Sequence, residues 1–137
     1  MANYYGTTVS RGGALKKGKK NREAVEAIIA KYNFVGNEGD ENVGIGNSLY
    51  FNGKGEDQVE IWGNDALSAY KIEDENQEEE MFETFLLELA PYLKTALIVQ
   101  EVGNEKCRYV CAFAWIVKPN AKKVVFVNIE NAIAKLI

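Results

Sequence analysis

The sequence contains no histidine, and this absence excludes several kinds of catalytic site. Histidine is the commonest general base near neutral pH, and it activates the nucleophile in Ser-His-Asp and Cys-His sites. It is also a frequent zinc ligand, and two cysteines are too few for a four-cysteine zinc site. We therefore predict that the protein is not an enzyme and that it uses no metal or other cofactor.

Cysteine is scarce, and the positions of the two cysteines argue against a disulfide. Cys107 and Cys111 lie four residues apart in what reads as one strand, so their Cα atoms would be about 13 Å apart. A disulfide requires a Cα separation below about 7 Å. We predict two thiols on the same strand face as Phe113 and Trp115, in a reducing compartment.

Long apolar runs are also missing. The longest candidate, Tyr109 to Val117, has the length of a strand and is far shorter than the ~20 residues that span a bilayer. The first six residues do not show the basic and then apolar pattern of a signal peptide. The sequence thus predicts a cytoplasmic protein that does not contact a membrane.

What the chain does contain is enough apolar sequence for one domain. It has 137 residues, of which 47% are hydrophobic. The order of strand-like and helix-like segments predicts a single α+β domain spanning residues 1–137. We expect a mostly antiparallel sheet of about five to seven strands with two or three packed helices. The glycine-rich and basic residues 1–20 are predicted to be partly mobile.

Periodicity and turn residues place the individual elements. Helices are predicted over 21–32, with Asn21 as N-cap, over 74–90, with Asp74 and Gln77 as a capping box, and over 130–137. Strands are predicted over 4–10, over 47–52, 58–63 and 66–72 as an antiparallel meander, over 96–102 and 107–117 as a hairpin, and over 123–127. The two apolar faces of 107–117 predict a central strand covered on both sides.

The glycine-rich stretch 36–46 matches no phosphate or calcium motif. Gly39 and Gly44 have the spacing of a Walker loop, but Ile45 and Gly46 stand where lysine and a hydroxyl residue are needed. Gly44-Ile45-Gly46 also lacks the third glycine of a dinucleotide fingerprint. Asp40 does not start an EF-hand loop, because the sixth position is Ile45 and the twelfth is Phe51. The composition therefore predicts a surface loop.

Six positive charges fall within twelve residues near the N-terminus. They are Arg11, Lys16, Lys17, Lys19, Lys20 and Arg22. This basic cluster is typical of a solvated loop that leads into a helix, and it also fits contact with phosphate or with an acidic protein surface. The formal net charge of the chain is −4, which makes direct nucleic-acid binding an unfavoured interpretation.

A denser acidic cluster lies in the middle of the chain. Seven carboxylates fall within eleven residues, namely Glu73, Asp74, Glu75, Glu78, Glu79, Glu80 and Glu83. One interpretation is a solvated first helical turn, where negative charge is favoured. The other is a surface that imitates a phosphate backbone and occupies a cationic nucleic-acid-binding surface on another protein. We take the acidic cluster as the first candidate for partner binding and Lys16, Lys17, Lys19 and Lys20 as the second.

Polar side chains also gather at the predicted hairpin turn. Glu101, Arg108 and Tyr109 are candidates for the polar groups of a ligand pocket. The alternative is a set of cross-strand pairs, each contributing a few tenths of a kcal/mol. The sequence does not identify which carboxylate would act as a general acid and which as a general base, so neither role is assigned.

Two stretches resemble a group of small proteins encoded by bacteriophages and other bacterial mobile elements. They are the start Met1-Ala2-Asn3-Tyr4-Tyr5-Gly6, which resembles an ANYYG-like start, and residues 101–110, which resemble an E-x-G-x-E-K-x-R-Y-V hairpin. The resemblance implies a mobile-element origin and transfers no site. Small acidic proteins of such origin often inhibit host defence enzymes by binding them.

These observations support three hypotheses. The first is a non-enzymatic inhibitor of a host protein, with an anti-defence role such as that of anti-CRISPR proteins, acting through the acidic cluster. The second is a small ligand-binding domain or enzyme with a pocket beside residues 101–109. The third is a structural or oligomerising module, for which a broad apolar surface patch would be the sign.

Overall fold

A computed structural model describes residues 4–36, 42–47, 56–64, 66–105 and 109–137. The strands in these residues are β1 (Tyr4–Gly12), β2 (Tyr32–Val35), β3 (Asn42–Asn47), β4 (Asp57–Asn64), β5 (Ser68–Lys71), β6 (Leu97–Glu105), β7 (Tyr109–Val117) and β8 (Val125–Asn128). The helices are α1 (Lys19–Ala30), α2 (Phe82–Leu89) and α3 (Ile129–Ala134), with a 3₁₀ turn over Ala90–Tyr92.

Six of these strands form one sheet in the order β3-β4-β1-β6-β7-β8, and every neighbouring pair is antiparallel. The first strand lies inside the sheet, where it pairs along its whole length with β6, from Tyr4 opposite Glu105 to Gly12 opposite Leu97. The two remaining strands, β2 and β5, form a separate antiparallel pair. The predicted α+β class and mostly antiparallel sheet are confirmed.

The core lies on one face of the six-stranded sheet. Side chains that alternate along the strands are buried there, among them Val59, Ile61, Leu97, Val99 and Val117. The second helix packs four apolar side chains into the same core, and these are Phe82, Phe85, Leu86 and Leu89. They recur at helical spacing, so the apolar stripe predicted for this helix is confirmed.

The acidic residues before this helix are not helical, which corrects the predicted helix over 74–90. The helix begins at Phe82. The backbone N–H of Gln77 donates to the carbonyl oxygen of Asp74 at 3.1 Å, and Gln77 has a φ of 52°, so the chain turns there. The predicted capping box is therefore wrong. The helix ends at Leu89, followed by the 3₁₀ turn that contains Pro91.

The N-cap predicted for the first helix is also wrong. The helix begins at Lys19, two residues before Asn21, and Gly18 occupies the N-cap position with a φ of 125°. The side-chain amide of Asn21 donates to the carbonyl oxygens of Lys16 at 3.3 Å and Lys17 at 2.9 Å. Asn21 therefore holds the loop before the helix without capping the first N–H groups.

Two strands differ from their predicted state. Tyr32 to Val35 is a strand, although Tyr32 continues the helical spacing of α1. Residues 42–47 form a strand that pairs with β4, although their composition predicts a loop. Residues 37–41 and 48–52, which belong to the predicted loop and to a predicted strand, lie outside the described residues. The predicted meander is wrong, because β5 pairs with β2 and not with β4.

The glycine-rich segment after β1 is held by backbone hydrogen bonds. Gly13 N donates to Ala96 O at 2.9 Å, Leu15 N to Asp57 O at 2.8 Å, and Lys16 N to Tyr92 O at 2.9 Å. Ala14 and Leu15 are buried. The mobility expected within residues 1–20 stays a prediction.

The hairpin of β6 and β7 is confirmed, and β7 lies inside the sheet. The expectation that both faces of β7 are covered is wrong, because Val110 is exposed and residues 111–116 are half-buried. The end of the chain forms β8 and α3, as the sequence predicts. In the part of the chain that the structure describes, no helix combines the length and the apolar character needed to cross a membrane.

Candidate functional site

The basic cluster is partly engaged by the chain itself. The ammonium of Lys16 donates to the carbonyl oxygen of Pro91 at 2.8 Å and to Oδ1 of Asn120 at 3.3 Å. It joins three connecting segments and is only half-exposed. Lys17, Lys19 and Lys20 are exposed at the start of α1. The structure thus places Lys16 in a structural position and leaves the other three lysines at the surface.

Two of the basic side chains of this region, those of Lys19 and Arg22, contact carboxylates of the same chain. Arg22 donates to Glu26 at 3.0 Å and to Asp57 at 2.9 Å, and Lys19 lies 3.8 Å from Glu23. The hydrogen bond to Glu26 and the charge of Asp57 raise the pKa of Arg22. Two of the six positive charges of the basic cluster are therefore paired locally with carboxylates of α1 and β4.

Residues 73–80, which we call the acidic segment, form an irregular connection between β5 and α2. A carboxylate oxygen of Asp74 accepts a hydrogen bond from the backbone N–H of Glu79 at 3.0 Å, which closes the segment into a compact turn. Oε1 of Glu80 accepts from the backbone N–H of Ala69 at 3.0 Å and of Phe82 at 2.7 Å. Two of its own carboxylates thus hold the acidic segment against β5 and the start of α2.

The other carboxylates of the acidic cluster face outwards. Glu73, Glu75, Glu78, Glu79 and Glu83 are exposed. Of the ion pairs formed within the described residues, not one includes a carboxylate from 73–83. The basic and acidic clusters therefore do not neutralise one another there, and the acidic cluster presents concentrated negative charge to its surroundings.

A cavity of about 550 Å³ opens beside the acidic segment, between the start of α2 and strands β6 to β8. Three carboxylates line it, those of Glu80, Glu83 and Glu101. Four aromatic rings line the same cavity, and these belong to Phe82, Phe113, Trp115 and Phe126. No lysine or arginine is among the described residues that line it. We call this cavity the acidic aromatic pocket.

The rings of this pocket contact one another and form a continuous wall. Trp115 is central, with ring-centroid distances of 5.3 Å to Phe82, 5.3 Å to Phe113 and 5.6 Å to Phe126. The first two pairs are edge-to-face, a geometry that aromatic quadrupoles favour. Phe126 lies on the short strand β8 and is 47% exposed. The wall thus runs from the buried Phe82 to a ring at the surface.

Glu101 lines the pocket although the residue is only 3% exposed. In the strand register it stands between Thr8 of β1, which is also buried, and Phe113 of β7. A carboxylate in such surroundings requires polar partners, because burying a charge without them is costly. The core face of the sheet thus carries a polar position at the end that borders the acidic segment.

Of the three residues predicted for a pocket, the structure places one beside part of the acidic cluster. Glu101 lines the acidic aromatic pocket with Glu80 and Glu83. Arg108 lies outside the described residues, and Tyr109 is described through its backbone, which pairs with Glu105. The four rings were not predicted as site residues. Phe113 and Trp115 alternate on one strand face, a pattern that also fits a buried core.

A separate group of three ionisable side chains links α2 to the residues that follow α1. Glu88 of α2 accepts a hydrogen bond from the ammonium of Lys31 at 2.6 Å and from the hydroxyl of Tyr32 at 2.5 Å. Burial acts to raise the pKa of Glu88, but the hydrogen bonds from Lys31 and Tyr32 outweigh it and lower the pKa. Burial and the bond to Glu88 raise the pKa of the Tyr32 hydroxyl. These three groups satisfy one another, so we assign them to the packing of α1 and β2 against α2.

The sheet face opposite the core carries exposed apolar side chains. The register places Val9 opposite Trp62, and it places Val102 opposite Ala112 on the same side of the sheet. Val110, Val125 and Val127 share this face and are also exposed. We call it the open sheet face. Such an apolar surface often marks an interaction site.

Comparison with protein-family models, with curated proteins and with solved structures found no match. Among the described residues, no group of three or more cysteine, aspartate or glutamate side chains is arranged to hold a metal ion.

Proposed function

We propose that this chain is a non-enzymatic binding protein that attaches to a positively charged surface of another protein. The observation that carries the proposal is the acidic segment and the pocket beside it. Five exposed carboxylates make no ion pair within the described residues, and one of them, Glu83, lines a cavity that has three lining carboxylates and no described lining cation. A cationic partner would supply the charge that this surface lacks.

The arrangement of the carboxylates favours a role in binding over a role in stability. Like charges held close together repel one another, which opposes folding. Here the hydrogen bonds of Asp74 and Glu80 fix the segment that carries them. A prearranged negative surface of this kind accelerates encounter with a positive surface and selects against negatively charged partners.

We further propose that the partner is a host protein and that binding inhibits it in the cytoplasm. The resemblance of residues 1–6 and 101–110 to proteins of bacteriophages and mobile elements supports this part of the proposal. The acidic segment has six carboxylates in eight residues, which suits competition with a phosphate backbone for a cationic nucleic-acid-binding surface. The missing histidine supports a role without catalysis.

Charge reversal tests the acidic segment directly. The variant Glu75→Lys/Glu78→Lys/Glu79→Lys changes exposed side chains and leaves Asp74 and Glu80 in place. The tagged wild-type protein is used to capture partners from a bacterial lysate at low and high salt. We expect a partner that is retained at low salt and released at high salt, because salt screens exposed charges. The variant should not capture it.

The matched control is Glu23→Lys/Glu26→Lys/Glu130→Lys, which makes the same change in net charge elsewhere on the surface. It breaks exposed ion pairs of α1, which contribute little to stability. Both variants are checked for folding by thermal unfolding. Equal capture by the acidic-segment variant and the wild type would reject the proposal, as would equal loss of capture in both variants.

The open sheet face supports a second candidate function, self-association. Neighbouring strands lie about 4.8 Å apart, and each residue adds about 3.3 Å along a strand. The six strands therefore give a face of roughly 24 Å by 26 Å. That area is of the same order as the about 800 Å² per partner of a stable protein interface. The exposed Trp62 and Val102 supply apolar surface for such an interface. This candidate concerns the opposite side of the sheet and does not compete with the acidic surface.

A further inference from the structure

We infer that the acidic aromatic pocket receives the guanidinium group of an arginine side chain that projects from the partner protein. This inference rests on the proposed function and names the contact that the acidic surface makes. It assigns to the pocket a different task from that of the acidic segment. The segment attracts the positive surface over a distance, and the pocket recognises one side chain.

The size of the cavity fits a side chain together with its flanking backbone. Ligand sites in proteins commonly have volumes of about 300–1,000 Å³ and combine apolar walls with a few placed polar groups. The cavity here has about 550 Å³ and is bounded by aromatic rings and carboxylates. It opens beside the acidic segment, so a side chain that protrudes from a partner seated on that segment reaches it directly.

The chemistry of the walls selects a cation. The rings of Trp115, Phe113 and Phe126 stand within 5.3–5.7 Å of one another and line the cavity. Aromatic faces attract cations, and tryptophan does so most strongly. The exposed carboxylate of Glu83 lines the same space and provides acceptors for a bound cation, and Glu101 adds a second acidic residue to the lining. No described lining residue offers a positive charge to an anionic ligand.

The same walls favour arginine over lysine. A guanidinium is planar, stacks on aromatic rings and binds a carboxylate with two parallel hydrogen bonds. It is also more weakly hydrated than an ammonium, so it loses less on entering a pocket with apolar walls. Four aromatic side chains stand beside three carboxylates in the described lining of this cavity, which suits a weakly hydrated cation.

Tryptophan fluorescence gives a direct reporter of occupancy. The chain has two tryptophans, and Trp62 lies on the opposite face of the sheet. The variant Trp62→Phe therefore leaves Trp115 in the pocket as the single reporter. We titrate it with a short blocked peptide that contains one arginine, with a lysine peptide, and with a citrulline peptide that keeps the shape without the charge.

We expect a saturable change of Trp115 emission with the arginine peptide and a dissociation constant in the millimolar range. The citrulline peptide should bind at least about ten-fold more weakly, because it lacks the charge-assisted hydrogen bonds. The lysine peptide should fall between them. No saturable change with the arginine peptide, or equal affinity for the arginine and citrulline peptides, would overturn the inference.

Two pocket variants and two controls separate binding from folding. Glu83→Gln and Phe126→Leu alter exposed lining side chains, so we expect them to fold and to weaken arginine binding about three- to ten-fold. Glu130→Gln and Val127→Leu change exposed side chains that do not line the pocket and should leave the affinity unchanged. Equal affinities in all four variants would also overturn the inference.

The outcome is distinguishable from failure of the proposed function. If the acidic-segment reversal abolishes partner capture but the arginine peptide does not bind, the proposed function stands and this inference is wrong. If the peptide binds with the expected selectivity but reversal of the acidic segment leaves partner capture intact, the pocket stands and the proposed function is wrong.

Discussion

At the scale of single residues, Gly12 carries the clearest structural requirement. It ends β1 with a φ of 69°, in the left-handed region that side chains rarely adopt. A β-carbon at this position would also overlap the carbonyl oxygen of Ala96. This conformation lets β1 leave the sheet and turn towards the buried Ala14 and Leu15.

We therefore expect Gly12→Ala to lower the free energy of unfolding by roughly 1–3 kcal/mol, as for other strained backbone positions. Urea unfolding followed by circular dichroism measures the change. Gly44→Ala is the matched control, because Gly44 lies in β3 and an added β-carbon there would meet open space within the described residues. We expect that control to be within about 0.5 kcal/mol of the wild type. Similar losses in both variants would contradict the requirement at position 12.

At the scale of elements, the acidic segment shows why sequence patterns misplace helix starts. Acidic residues before an apolar stripe are typical of a first helical turn, and they predict a helix from Asp74. In the structure the helix starts at Phe82, because Glu80 hydrogen-bonds to the backbone of β5 as well as to the helix. The contact with Ala69 joins distant parts of the chain, and no local pattern encodes it.

We expect Glu80→Ala to lower the free energy of unfolding by about 1–2 kcal/mol, within the usual cost of leaving a backbone N–H without its hydrogen-bond acceptor. It leaves the N–H groups of Ala69 and Phe82 without that acceptor. Glu78→Ala, which changes an exposed side chain of the same segment, should alter the stability by less than about 0.5 kcal/mol. Thermal and urea unfolding of both variants check the difference. An unchanged stability of Glu80→Ala would show that these two hydrogen bonds do not hold the segment.

The strands also show which features can be predicted from the sequence and which cannot. The hairpin of β6 and β7 is predictable, because two apolar runs flank a short polar turn. The strand β3 is missed because its two glycines resemble a loop, although Val43 and Ile45 alternate and pack against the core. The pairing of β5 with β2 is a long-range choice. The presence of a strand can thus largely be predicted from the local sequence, whereas the strand with which it pairs depends on the whole fold.

At the scale of the whole molecule, the pocket is assembled from segments far apart in sequence. Glu83 and Phe82 come from α2, Glu101 from β6, and Trp115 and Phe126 from β7 and β8. The sequence identifies the acidic cluster and Glu101 as polar candidates, but their common cavity depends on how α2 lies over the sheet. Aromatic residues at alternate strand positions suit a core equally well, so only the tertiary structure assigns them to a site.

The two faces of the sheet differ in how far other elements cover them, and this difference leads to a prediction about self-association. The core face is covered by helices, whereas the open sheet face exposes Val102 and Trp62, 52% and 49% accessible respectively. Burial of apolar surface contributes about 25 cal/mol per Å², and this contribution would favour pairing of two such faces against the entropic cost of association. We expect a concentration-dependent dimer in sedimentation experiments.

Val102→Lys should shift this equilibrium to the monomer, because it replaces an exposed apolar side chain of the open sheet face with a charged one. Ile72→Lys is the matched control, since Ile72 is equally exposed but lies after β5, outside the six-stranded sheet. Sedimentation velocity across a wide range of concentrations compares the three proteins. A wild-type protein that stays monomeric at every concentration would exclude self-association through this face.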